Sequence, residues 1–436
     1  MTTLIGQLNT LESSNLIQLV QAQPELEYLF RHALIQDAAY ASLVKPDRKL
    51  LHRIVGEALE RMYPDRREEL SGLLAHHFIA AGELDKAIAY SRQAARRAET
   101  MYAYEGAAQH LRTALDLIGQ GERVETRLAL LEQLADIHRL LQEGAQAIAV
   151  YRQALDAWRG QPSVDRMIEL RLHRKIVETA NNMKWRAGFE QVEAVARLVG
   201  ESRANLESAL RRMEGEPPHA ETVRLLTALS EHAWRIEDPA NWDAAEHYAR
   251  AAVAMGEQLD DPLDLSSALN ALAGVHLGRG LLREQVDVAL RRLELARDLR
   301  FGDLRKQVTT LNLVGGALTI VGEYALAMPY LLEAESLGDH IRAVDLQVQS
   351  LSFQSQCWFR LDRWDEMFAI EDKRRDLEQR YPRERVGATC FEIALGATVH
   401  SLRGELERAR APRQKAYDIM AGFSGPPEKW WRNQHY

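Results

Sequence analysis

Residues 128–155 read LALLEQLADIHRLLQEGAQAIAVYRQAL, and this stretch decides how the rest of the chain is read. Leu131, Leu134, Ala135 and His138 recur at three- and four-residue spacing. The pattern halts at Gln142-Glu143-Gly144 and resumes at Ala147, Tyr151 and Ala154 on a second helical face. That is a helix, a tight turn and a helix. Ala135, Ala147 and Ala154 allow the two helices to approach closely, while Leu131, Leu134 and Tyr151 fill the seam. A single hairpin cannot bury its apolar faces alone, so it needs neighbours of the same kind.

The chain supplies them at a nearly constant phase. Leu74, Ala75 and Phe78, a turn at Ala81-Gly82-Glu83, then Ala87, Tyr90 and Ala94 make an earlier unit; Tyr104, Ala107, Leu111 and Ala114 make a further helix face. Later anchors are Ala245, Gln285, Ala327, Met367 and Ala409, separated by 40, 42, 40 and 42 residues. At 436 residues the chain is too long for one ordinary core, and Val- or Ile-rich alternating runs are scarce. The order of turn glycine, alanine and tyrosine resembles tetratricopeptide repeats, whose unit is about 34 residues; the excess is about one and a half helical turns. The expected fold is therefore all-α, a right-handed α-α superhelix of long tetratricopeptide-like hairpins.

Within that frame, residues 46–215 form a first block of hairpins and 216–423 a second. A less regular hairpin is expected around Lys184-Trp185-Arg186-Ala187-Gly188-Phe189. The phase breaks at 199–219, where Gly215-Glu216-Pro217-Pro218 follows an extended helix and marks a joint. Residues 424–436, with Trp430, Trp431 and Tyr436, form an aromatic tail suited to contact with a second protomer.

Residues 1–45 do not fit the repeat. Leu4, Leu8 and Leu11 are spaced as a helix, 16–20 and 26–30 read as two strands about a turn, and a helix starts near His32. A helix and hairpin of this kind are what a partial winged helix leaves. The segment YLFRHALIQDAAYASL at 28–43, with LLHRIVGEALE at 50–60 and Leu74-Ala75-His76-His77-Phe78, resembles the region that follows the nucleotide-binding core in bacterial signal-transduction ATPases of the AAA-like, STAND type. Those proteins are often fused to nucleotide cyclases or transcription regulators. The resemblance covers about the first 120 residues. It implies a sensor or regulatory module acting on an attached NTPase or cyclase effector domain. The family's ATPase activity is not implied here, because no G-x-x-x-x-G-K-[ST] loop is present to cradle a triphosphate. The chain reads as the C-terminal sensor part alone.

Other functions are disfavoured. A net charge of −8 with acids and bases interspersed does not suit nucleic acid. No run approaches the roughly 20 apolar residues of a membrane span, and MTTLIGQLNTLESS lacks a signal-peptide pattern, so a cytoplasmic location is expected. Cys357 and Cys390 read as buried free thiols. No H-E-x-x-H, C-x-x-C or G-x-S-x-G occurs among the fourteen histidines, two cysteines and many carboxylates, so no catalytic residue, metal or cofactor is expected. His76-His77 reads as a surface or seam pair. The basic cluster of Arg291, Arg292, Arg297, Arg300, Arg305 and Lys306 can hold a phosphate or an acidic peptide. Interleaved Glu294, Asp298 and Asp303 favour instead a solvated helix face laced with ion pairs.

The first helix of each hairpin is more informative, since in a stacked array it lines the concave side. Counting back equally from each anchor places Ser230, Asn270, Asn312 and Ser352 at one level, Trp234, Gly274, Gly316 and Gln356 one turn on, and Thr227, Ser267, Thr309 and Gln349 in a second row. These rows are polar, mostly uncharged and punctuated by glycines that would open space. An Asn both donates and accepts, so Asn270 and Asn312 can grip an extended backbone regardless of its sequence. The expected groove residues are Trp234, Asn270, Thr309, Asn312, Gln349, Ser352 and Gln356. Their ligand is a peptide, protein or small molecule; the other reading is a structural scaffold or oligomerisation module.

Overall fold

The computed structural model of the chain describes residues 2–21, 26–119, 123–141, 143–159, 166–183, 193–213, 215, 217–237, 239–298, 301–381 and 390–421. The irregular hairpin expected around 184–189 and the aromatic tail at 424–436 lie outside them. The chain divides into two units, Met1–Ile137 and His138–Tyr436.

In the first unit, α1 (Thr2–Ser13) leads into an antiparallel hairpin of β1 (Ile17–Gln21) and β2 (Glu27–Phe30), with Ile17 opposite Phe30 and Leu19 opposite Tyr28. Then come α2 (Ala33–Ser42), α3 (Lys45–Met62), α4 (Ser71–Ala81), α5 (Leu84–Thr100), α6 (Tyr104–Leu117) and α7 (Val124–Leu140), the last running past the division. The expected order of helix, two strands and helix is present. Burial begins in earnest only at α3 and α4: Phe78 is fully buried, lies over Gly56 and stacks on Tyr90 with ring centroids 5.6 Å apart. Glu60 ties α3 to α5 by accepting from Tyr90 Oη and Lys86 Nζ, each at 2.6 Å. Burial and that carboxylate push the Tyr90 phenol up to about 12.

The second unit contains α8 (Gly144–Arg159), α9 (Arg166–Met183), α10 (Glu193–Arg212), α11 (Ala220–Arg235), α12 (Trp242–Gly256), α13 (Pro262–Gly278), α14 (Leu282–Ala296), α15 (Leu304–Ile320), α16 (Tyr324–His340), α17 (Val344–Arg360), α18 (Trp364–Arg380), α19 (Cys390–Leu402) and α20 (Leu406–Ala421). At 20 residues α10 is the extended helix foreseen before the Pro217-Pro218 loop. The architecture is all-α, a stack of tetratricopeptide-like hairpins.

One local rule builds these hairpins. Helices α5, α6, α8, α12, α14, α16, α18 and α20 carry at their fourth residue Ala87, Ala107, Ala147, Ala245, Gln285, Ala327, Met367 and Ala409, none more than 6% exposed. The turn before them repeats as well. Glu83, Glu143, Leu281, Glu323, Arg363 and Glu405 donate their N–H to the carbonyls of Phe78, His138, His276, Leu318, Trp358 and His400 at 2.8–2.9 Å. This is the six-to-one closure of a helix end. It needs a left-handed residue just before the donor, and Gly82, Gly280, Gly322 and Gly404 supply it with φ of 76–90°. The turn glycines of the sequence are thus the points where the chain reverses.

Candidate functional site

The rows on the first helices of the second unit divide into open and closed members. Asn312 is 1% exposed; its Nδ2 donates to the Leu346 carbonyl at 3.0 Å and Gln349 Oε1 at 3.3 Å, and its Oδ1 accepts from Ser350 Oγ at 2.7 Å. It bolts α15 to α17. Trp234 is 8% exposed and stacked on Trp242 at 6.0 Å, and Ser230 Oγ is spent on the Ala245 carbonyl. The glycines do not open space. A Cβ on Gly274 would lie 2.8 Å from the Trp234 ring and one on Gly316 2.6 Å from Phe353, so aromatic side chains occupy the room they leave.

The half-buried members are Thr227, Ser267, Asn270, Thr309, Gln349, Ser352 and Gln356. Ser267 and Thr309 donate back to the carbonyls of Leu263 and Arg305 at 2.9 Å, which leaves their oxygens as acceptors toward the face. Asn270 accepts from Arg292 Nη1 at 2.7 Å. The half-exposed groups of these rows on α13, α15 and α17 are therefore amides and hydroxyls.

Charge runs alongside these polar rows. Arg174 of α9 donates to Glu221 of α11 at 2.6 Å and pairs with Glu178, which also takes Arg139 at 3.3 Å. Burial alone would raise the Glu178 carboxyl, yet Arg174 and Arg139 outweigh it and hold the group low. Arg224 of α11 reaches Asp264 of α13 at 2.8 Å, and Arg305 of α15 pairs with Asp345 of α17.

The basic cluster splits. Arg291 pairs with Glu257 and Arg305 with Asp345, as a face laced with ion pairs requires. Arg292 and Lys306 depart from that picture. Arg292 is 3% exposed rather than solvated, and its bonds go to Ser266 Oγ at 2.9 Å and Asn270 Oδ1. Lys306 Nζ meets Ser267 Oγ at 3.2 Å and the Leu263 carbonyl at 3.5 Å. Among the described residues no carboxylate forms an ion pair with either. Burial pulls the Arg292 guanidinium down to about 10 despite the more distant Glu231 and Asp303. Burial lowers Lys306 as well; Asp303 and Asp264 oppose this, and Arg292 and Arg224 add to it.

Register explains why Arg292 is unusual. It stands seven residues after the anchor Gln285, and the equivalent positions in the other second helices are Ala94, Ala114, Ala154, Ala252, Ala334, Arg374 and Ala416. Six of eight are alanine at the seam. Aligning the anchors in the sequence would have exposed this exception, whereas reading the basic run as one helix face concealed it.

The first unit carries two further features. Tyr40 Oη lies 2.9 Å from His52 Nε2, and His52 Nδ1 lies 3.0 Å from His77 Nδ1, joining α2, α3 and α4. Two ring nitrogens at that distance share one proton, so both imidazoles cannot be cationic there. Burial first, and then the neighbouring histidines, lower both groups. No set of three or more His, Cys, Asp or Glu among the described residues is arranged to hold a metal. The other feature is apolar surface. Sixteen of the twenty-five large hydrophobic side chains exposed among the described residues fall within the first 62 positions, among them Leu4, Leu34, Val44, Leu51, Ile54 and Met62. No helix of the described residues is long and apolar enough to cross a membrane.

No protein-family model matches the chain. An uncharacterized protein of Rhizobium meliloti (strain 1021) is 30% identical over 122 residues, a match spanning 28% of this chain and 12% of that protein. Among solved structures, a Signal Transduction ATPase with Numerous Domains with a tetratricopeptide repeat sensor, from Pyrococcus horikoshii, aligns over 94% of this chain and 57% of its own, at 13% identity and a TM-score of 0.48. Aspartyl phosphate phosphatase F from Bacillus subtilis covers 86% and 89% at 16% identity and 0.47. A Rap protein complexed with competence and sporulation factor covers 80% and 98% at 12% and 0.49. At this distance the likenesses carry no functional statement.

Proposed function

We propose that the chain is a non-catalytic regulatory module that takes a peptide or protein ligand along the polar face of α13, α15 and α17. The observation that supports this is the half-open row of Ser267, Asn270, Thr309, Gln349, Ser352 and Gln356 at repeated register, beside positions that the helix seams have closed. Side-chain amides and hydroxyls so placed match the hydrogen-bonding needs of an extended backbone. Asn312 and Trp234 hold the helices that carry the row. The concentration of exposed apolar side chains in the first 62 residues favours a second role for the other unit. It is the docking surface for an effector domain, of the NTPase or cyclase kind that the sequence resemblance implies, with the partial winged helix as part of the contact. A scaffold joining two copies is the alternative use of this surface, and light scattering distinguishes the two.

Selection of peptides from a random library on the intact chain tests the ligand face. Binders should be lost on Asn270→Ala with Gln349→Ala and Gln356→Ala while the helical circular dichroism persists; undiminished binding by that triple variant would remove the assignment.

A further inference from the structure

Arg292 breaks the packing rule of its own repeat. At a seam position where six other second helices place alanine, α14 inserts a guanidinium, and the opposite stretch of α13 answers with Ser266 and Asn270. A buried cation is ordinarily retained only where a carboxylate sits against it, as Glu178 and Glu221 do against the buried Arg174. Arg292 has two neutral oxygens instead, Ser266 Oγ on Nε and Asn270 Oδ1 on Nη1. Lys306 arrives from α15 at the same stretch of α13, on Ser267 and the Leu263 carbonyl, which are also neutral. Two cations from two helices thus converge on one polar patch whose Asn270 and Ser267 are half-buried and open onto the proposed face. Glu231, Asp303 and Asp264 act on the two cations only from beyond ion-pair distance, so an anion arriving at the face would make the direct contact that the protein's own carboxylates do not.

We propose that Arg292 and Lys306, set against Ser266, Ser267 and Asn270, form a site for an oxyanion of the ligand, either a carboxylate of an acidic peptide or a phosphoryl group. The inference deepens the ligand-face reading, on which the peptide source rests. The guanidinium supplies directed N–H donors from within the seam, Lys306 supplies a mobile point charge from the half-open side, and Asn270 fixes the orientation of Arg292.

The test uses the full chain, Arg292→Ala and Lys306→Gln, melted in phosphate and in chloride at equal ionic strength. Arg292→Ala restores the residue that the other repeats tolerate, and Lys306→Gln keeps a polar stem, so both are expected to fold. In chloride Lys306→Gln should melt close to the wild type, because it removes a charge with no carboxylate in contact, while Arg292→Ala trades its buried charge against the void left beside Ser266 and Asn270. In phosphate only the wild type should gain beyond the general effect of the salt. Equal phosphate increments in all three proteins, or melting points lowered in chloride with the increment unchanged, would overturn the site and leave the two cations a structural role. A second arm compares a Glu-containing peptide selected on the face with its Gln counterpart. A carboxylate source predicts roughly tenfold or greater preference for the Glu form, lost in Lys306→Gln, since a charge-assisted hydrogen bond is worth at least that factor. A phosphate increment that depends on both residues, with no peptide binding anywhere, upholds the anion site and removes the peptide face. Glu and Gln peptides bound equally by all three proteins, with no specific phosphate increment, do the reverse.

Discussion

Substituting Gly315 by alanine should destabilise the α15–α16 hairpin, although alanine is the better helix former. The added methyl would lie 2.4 Å from Leu331 Cδ2 and 2.6 Å from its Cγ, and Leu331 is fully buried. Carbon atoms prefer about 3.5 Å or more, so Leu331 or the whole helix must retreat by roughly 1 Å. Intrinsic propensity favours alanine by ~1 kcal/mol, and overpacking of a closed core costs about 1–3 kcal/mol. The balance is a net loss of about 1–2 kcal/mol at the upper end of that packing cost. Gly200 in α10 provides the opposite case, because a Cβ there meets nothing within 4 Å. With only propensity at work, Gly200→Ala should gain about 0.5–1 kcal/mol. Urea unfolding followed by circular dichroism, with hydrogen exchange read over residues 304–340, measures both. A Gly315→Ala protein as stable as the wild type would refute the claim that this seam is closed at van der Waals contact.

Asn312→Ala should cost about 1–3 kcal/mol, because it removes the bonds to Leu346, Gln349 and Ser350 and leaves a void in a closed seam where Ser350 Oγ keeps only the Leu346 carbonyl, whereas the half-buried Asn270→Ala should cost less; thermal melts compare them. Glu221→Ala leaves the Arg174 guanidinium, 6% exposed, without one of its two carboxylates and should cost about 3 kcal/mol, measured by the same unfolding curves. His173 gives a pH signature. Burial first, and then Arg159, lower its imidazole to about 4, with Ser202 Oγ at 3.0 Å, Asn205 Nδ2 at 3.3 Å and Glu169 at 3.9 Å around the ring. The unfolded chain therefore binds a proton near pH 6.5 that the folded chain refuses until about 4, and stability should fall by a few kcal/mol as pH drops through that window. His173→Gln should flatten this part of the profile; an unchanged slope in urea midpoint against pH would show that other groups dominate it.

Much of the fold was legible because its grammar is short and local. A left-handed glycine, a helix start and a small residue at the fourth position recur within a few residues, so Gly322 and Ala327 locate a turn without knowledge of any distant contact. The face was less legible, because whether a polar side chain is a bolt or a handle depends on what the next repeat sets opposite it. Asn270 and Asn312 occupy equivalent positions 42 residues apart. Opposite Asn312, α17 presents Ser350 and Gln349, and the amide is consumed. At the place equivalent to Ser350, α15 presents Thr310, whose hydroxyl donates to its own helix at Lys306, and Asn270 turns instead to Arg292. The two asparagines thus differ in role through residues that lie next to neither of them in sequence. The same reasoning gives the sharper rule for this chain: once the repeat is aligned, the positions to search are those where a packing residue has been replaced by one that the packing does not need. Arg292 in the alanine column is such a position, and a run of basic residues read by its charge alone does not reveal it.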